Sequence, residues 1–142
     1  MSEESAAAMG GMSVVVVDPI RVVVADNSPA RPVIADALRG AGIRVLGETV
    51  DGSAALDLIR AHHPQVALVG ERIPGVHGAA LATAVRREHL PTRVLILSPH
   101  AHAAAADEDA AGVVPIDATR TDIVEAVLLC ANGSRAWNRY QH

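Results

Sequence analysis

Apolar positions along the chain follow two periods. Arg21–Ala25 (RVVVA), Gln65–Val69 (QVALV) and Arg93–Leu97 (RVLIL) are apolar almost throughout, without alternation. Short runs of this kind, bounded by turn residues, predict parallel strands covered on both faces. Arg44–Val50 (RVLGETV) and Gly112–Pro115 (GVVP) are two further strands, and Pro115 suits an edge or a strand end. Between the strands the apolar spacing becomes helical. Ser28 is the expected N-cap of a first helix, with Pro29 or Pro32 in its first turn and Val33, Ile34, Ala37 and Leu38 on one face. Gly40 and Gly42 end it. Ser53 is expected to cap a second helix with the face Ala54, Ala55, Leu58 and Ile59, ended by His62-His63-Pro64. A turn-rich loop, Gly70–Gly78 (GERIPGVHG), leads to a helix carrying Ala80, Leu81, Ala84 and Val85. His100–Asp109 predicts a weak, alanine-rich helix. A last helix from near Thr121 buries Ile123, Val124, Val127 and Leu128 and stops at Asn132-Gly133.

Five β–α units in this order predict an α/β fold, a doubly wound parallel five-stranded sheet in a (βα)5 arrangement. Function in such sheets sits beyond the carboxyl ends of the strands. That edge presents Asp26-Asn27, Gly70-Glu71, Ser98-Pro99 and Ile116-Asp117. Residues 1–19 read as a disordered or strand-like extension, 20–133 as the domain, and 134–142 as the start of a linker or a tail. Within the extension, Ser13–Val17 (SVVVV) fits an added edge strand, a dimer contact or an exposed segment.

Composition narrows the function. The chain has 142 residues, half of them apolar, which suits one domain with one core system. A net charge of −4 argues against direct nucleic-acid binding by this domain, because such affinity rests on clustered positive charge. The lone Cys130 excludes an internal disulfide and a multi-cysteine zinc site, and fits a reducing, cytoplasmic setting. No apolar run reaches the roughly 18 residues of a membrane span, and residues 1–12 lack a basic n-region. No G-x-G-x-x-G follows the first strand, so no dinucleotide cofactor is expected.

Four stretches carry a family resemblance: VVVADNSPARPVIADAL, PQVALVGERIPGVHG, RVLILSPH and AAGVVPID. In order and at this spacing they resemble the receiver domain of bacterial response regulators, over roughly residues 20–133. The resemblance implies a flavodoxin-like sheet of order 2-1-3-4-5. In that family an aspartate ending strand three accepts a phosphoryl group. An acidic pair after strand one helps it hold Mg²⁺, and a Ser/Thr and a Lys contact the phosphate. By position the acidic pair is Asp26 and Asn27, the phosphoacceptor Gly70, the hydroxyl Ser98 and the lysine Ile116; the aromatic switch residue falls at Val113. Glycine has no oxygen nucleophile, two of three carboxylates are missing, and the chain has no lysine. Glu71 is expected to point to the opposite side of the sheet from Gly70, because side chains alternate along a strand. The expectation is an atypical, phosphorylation-independent receiver that is not an enzyme.

DIVEAVLLCANGSRAW, with Gly133 and Trp137, resembles the receiver end of NarL/FixJ-type transcription regulators, where a linker leads to a helix-turn-helix domain. This chain stops at His142, so it is expected to be either an excised fragment or a stand-alone receiver. A homodimer is expected, with the small residues Ala103–Ala106 open to close packing. The alternative is a sensor that binds a small neutral or cationic molecule among Asp26, Asn27, Gly70, Glu71, Ser98 and Ile116. Other candidates have simpler explanations. His100 and His102 with Asp107–Asp109 read as a solvated face, with Asp109 as solubilising charge. His62 and His63 suit a helix C-terminus, and His77 a surface loop. Ser98 lacks the G-x-S-x-G elbow of a hydrolase. Cys130 reads as a small core residue.

Overall fold

The computed structural model describes residues 18–99 and 109–133. The Ser13–Val17 run, the alanine-rich helix, His100, His102, Asp107, Glu108, Trp137 and the segments 1–17 and 134–142 lie outside the described residues. In chain order the elements are β1 (Arg21–Ala25), α1 (Ala30–Gly40), β2 (Arg44–Thr49), α2 (Gly52–His62), β3 (Val66–Gly70), α3 (Gly78–Arg87), β4 (Arg93–Ser98), β5 (Gly112–Pro115) and α4 (Arg120–Ala131). The strands are parallel and ordered β2-β1-β3-β4-β5. That is the expected 2-1-3-4-5 sheet, with Pro115 on an edge strand.

Alternate residues of each central strand feed opposite faces of the sheet. Val22, Val24, Leu68, Leu95 and Leu97 pack with Ile34 and Leu38 of α1 and Ile123 and Val127 of α4. Val23, Ala25, Val69 and Ile96 pack with Ala55 and Ile59 of α2 and Leu81 and Val85 of α3. The continuous apolar runs are therefore two interleaved half-patterns, one for each helical layer. Burying a branched aliphatic side chain contributes about 1.5–3 kcal/mol, so these two layers dominate the driving force for folding.

The helical faces differ in detail from expectation. In α1, Val33 is 46% exposed and Ala35 is buried. In α2, Leu56 is buried and Ala54 exposed. In α3 the buried residues are Leu81, Ala82 and Val85, with Ala80 exposed. In α4, Ala126 and Cys130 are buried, while Val124 and Leu128 are half-buried. Each helix leans about one position round from the stripe drawn on the sequence.

Two boundaries move for local reasons. Strand three ends at Gly70, so the glycine belongs to the strand; the register pairs it with Leu97. The cap of α2 is Asp51 and not Ser53: its carboxylate accepts the Ser53 and Ala54 N–H groups at 2.7 and 3.1 Å. The Pro74-Gly75 turn closes over this cap. Gly52 N–H donates to Pro74 O at 2.8 Å, and Gly75 adopts φ +84°. The N-cap of α1 is Pro29, which makes no side-chain capping bond, and not Ser28; Ser28 lies one residue earlier, where its Oγ accepts from Ala30 N–H at 3.2 Å.

Asp51→Ala is expected to cost about 1 kcal/mol by chemical denaturation, and Ser53→Ala only a few tenths; the reverse ranking would return the cap to Ser53. Cys130 is 1% exposed, and burial pushes its thiol from 9.0 up to about 11 against a smaller lowering by Arg93. The folded state then holds a proton that the unfolded chain releases. The stabilisation is complete below pH 9.0 and is lost as pH rises through about 11. Native protein at pH 8 should react with a thiol reagent only as fast as it opens, and Cys130→Ala should flatten the alkaline decline in stability.

Candidate functional site

The carboxyl ends of the strands meet a crevice of about 280 Å³. Parallel register places Ala25 beside Val69, so the residues that follow, Asp26 and Gly70, lie side by side. A Cβ built on Gly70 would stand 2.6 Å from Asp26 Oδ1 and 2.9 Å from Ile73 Cγ2. The Asp26 carboxylate thus occupies the space a side chain at position 70 would need. Asp26 is only 4% exposed. Its Oδ2 accepts the Ser28 N–H at 3.2 Å and the Ser28 hydroxyl, while its backbone carbonyl accepts from Arg31 Nη1 at 3.1 Å. These bonds place the carboxylate at the start of α1, where exposed N–H groups favour negative charge.

Glu71 corrects an expectation. The alternation rule presumes an extended strand, but β3 ends at Gly70 and Glu71 opens a turn. Its N–H donates to Leu97 O at 2.8 Å, its carbonyl accepts from Gly78 N–H at 3.1 Å, and its Oε1 accepts the Ser98 hydroxyl. The carboxylate lines the crevice with Asp26. Ser98, fully buried, lies beneath the rim through this bond.

Ile116 and Asn27 also line the crevice. Ile116 N–H donates to Ser98 O at 3.0 Å, and its side chain packs on the α1–α4 core. Val113 is 1% exposed in the opposite layer, with no ring to rotate. His77 precedes α3 without a side-chain capping bond and is not among the crevice residues. Asp109 is tied down: its carboxylate accepts from Thr83 Oγ1 at 2.7 Å and from Arg86 Nε at 2.5 Å. It therefore does more than solubilise, and the Thr83 bond, ahead of Arg86, lowers its pKa.

Sequence reasoning missed Arg72. It lines the crevice from the loop after β3, is exposed, and has no hydrogen-bond or ion-pair partner among the described residues. The available signal was a basic residue two positions beyond the strand end.

The donor set does not fit Mg²⁺. The ion takes near-octahedral oxygen ligation. Asp26 has one oxygen committed to Ser28, Glu71 has one committed to Ser98, and Gly70 offers no side chain. Among the described residues no group of three or more His, Cys, Asp or Glu is placed to hold a metal. No helix among them is long and apolar enough to cross a membrane.

Comparison with known proteins agrees with this frame. The transcriptional regulatory protein NarL of Mycobacterium tuberculosis is 49% identical over 122 residues, covering 82% of this chain and 56% of that protein. This chain thus spans little more than half of that relative. The solved signal receiver domain of the M. tuberculosis NarL response regulator superposes with a TM-score of 0.78 at 47% identity, over 82% of this chain and 99% of that one. A protein-glutamate methylesterase/protein-glutamine glutaminase of Natronomonas pharaonis is 39% identical over 80 residues, 56% of this chain but only 22% of the enzyme. The sequence model of the response regulator receiver domain matches residues 22–128, and this chain, with its 2-1-3-4-5 sheet and its crevice at the strand ends, belongs to that family.

Proposed function

We propose that this chain is an atypical receiver that works in signal transduction and transcription regulation without aspartyl phosphorylation. The single observation that carries the reading is Gly70, whose missing side chain is replaced in space by the Asp26 carboxylate, 2.6 Å from where a Cβ would stand. Phosphoryl capture needs an oxygen nucleophile and positive charge to stabilise the transferred group. The family position of the nucleophile is a glycine, that of the cation is Ile116, and the chain contains no lysine. Glu71 is the remaining carboxylate next to Gly70, and it is held by Ser98. The domain is a binding module and no enzyme. It acts in the cytoplasm through homodimerisation and protein contacts, in a protein where a helix-turn-helix domain follows. The name of the mycobacterial relative, a transcriptional regulatory protein of which this chain spans 56%, supports that placement.

A second reading is favoured by the crevice itself. Its volume of about 280 Å³, with apolar and polar walls, suits a small ligand in place of a phosphate.

Two measurements test the primary reading. Incubation with acetyl phosphate and Mg²⁺ is expected to leave the intact mass unchanged; an adduct, on Glu71 or elsewhere, would overturn it. Gly70→Asp is expected to lower stability by about 1–3 kcal/mol, because its Cβ must displace Asp26. It should still not give phosphorylation-dependent dimerisation by light scattering, since Ile116 and Val113 are unchanged. Restored switching in that variant would show that the glycine alone had silenced the site.

A further inference from the structure

The crevice beside Gly70 is unbalanced in charge. Among the described residues that line it, Asp26 and Glu71 meet a single cation, Arg72, while Arg31 reaches the Asp26 backbone carbonyl at 3.1 Å from outside the lining. Asp26 is 4% exposed; its Oδ2 is taken by Ser28, and its Oδ1 has no hydrogen-bond donor among the described residues. Glu71 gives Oε1 to Ser98 and keeps Oε2 without a donor among them. Arg72 is exposed, so its charge is screened by salt over about 8–10 Å, whereas the buried Asp26 is screened far less. A buried carboxylate oxygen without a donor is costly. The chain has no lysine to supply one. The rest of the wall includes Ile73, Leu97 and Ile116.

We propose that the crevice binds a small aliphatic ammonium ion. The –NH₃⁺ group, with three donors, reaches Asp26 Oδ1 and Glu71 Oε2, and the alkyl body lies against Ile73, Leu97 and Ile116. At about 280 Å³ the site is just below the range of drug-sized pockets, which limits the ligand to a few carbons. A hard divalent cation fits less well, for it would need about six oxygens from a wall that is largely aliphatic. The proposal rests on the reading that no phosphoryl chemistry occurs here.

The test is amide NMR of the full chain titrated with n-butylammonium, n-butanol or Mg²⁺ at constant ionic strength. Butylammonium is expected to shift the amides of residues 26–28, 70–73 and 116 saturably, with butanol weaker by about tenfold or more. Asp26→Asn should weaken the response by a similar factor. Ile116→Lys, which carries its own ammonium to the crevice wall, should abolish it, while Ile116→Leu should retain it. The proposal is overturned by silence up to about 100 mM amine, by an equal response to butanol, by tighter binding of Mg²⁺ to the same amides, or by indifference to the Ile116→Lys change. Acetyl phosphate separates the two levels. A mass adduct would sink the phosphorylation-free reading whatever the amines do, and amine silence without an adduct would sink this inference alone.

Discussion

The carboxyl edge of the sheet is organised by the contact between a glycine and a carboxylate. Parallel pairing of β1 with β3 brings Asp26 against Gly70, and the absence of a Cβ there lets Asp26 fold down over the strand end. Once there, the carboxylate is nearly out of water, and a buried charge must find donors or neutralise. It finds them in the Ser28 amide and hydroxyl at the start of α1. Ser28 in turn accepts the Ala30 N–H, so the entry of α1 depends on the same group. One missing side chain thereby fixes the position of an acid, a serine and a helix start.

Much of the frame was legible because it rests on period and order. Runs such as VVVA and VALV, which do not alternate, have a physical explanation only if both faces are covered. The sheet order and the two core layers agree with that. Helix phases were less legible. Ala35, Leu56 and Ala82 are buried one position round from the expected stripes, because the rotation of a helix about its axis is set by how it seats on the sheet and not by its own periodicity. The cap of α2 was misplaced because Asp51 and Ser53 are both good capping residues. The Pro74-Gly75 turn, 22 positions further along the chain, selects between them through the Gly52 bond.

The site was legible by position and less so by geometry. Asp26, Asn27, Glu71 and Ile116 do line one crevice, with Gly70 and Ser98 beneath its rim. The orientation of Glu71 was not legible, because alternation holds only while the chain stays extended and the turn begins at that residue. Arg72 escaped notice for a related reason. Loop side chains carry no period, so their direction depends on how the loop is pinned, here by the Glu71–Leu97 and Gly78–Glu71 backbone bonds.

The pattern of what is kept at this edge has a structural logic. Asp26 anchors the start of α1, and Ser98 holds Glu71 in the crevice, so each retained polar group has a partner that would be lost on substitution. Positions 70, 113 and 116 hold residues whose tasks are packing and close approach: Gly70 admits Asp26, Val113 fills the layer under α2 and α3, and Ile116 packs on the layer under α1 and α4. An aromatic ring at position 113 would have to be accommodated in a core already closed by aliphatic side chains, where extra volume costs about 1–3 kcal/mol, whereas Ile116 is half-buried at the crevice wall. The hydrogen-bonded frame and the aliphatic packing therefore support each other without a lysine, and what the crevice leaves open among the described residues is Asp26 Oδ1, Glu71 Oε2 and the exposed Arg72.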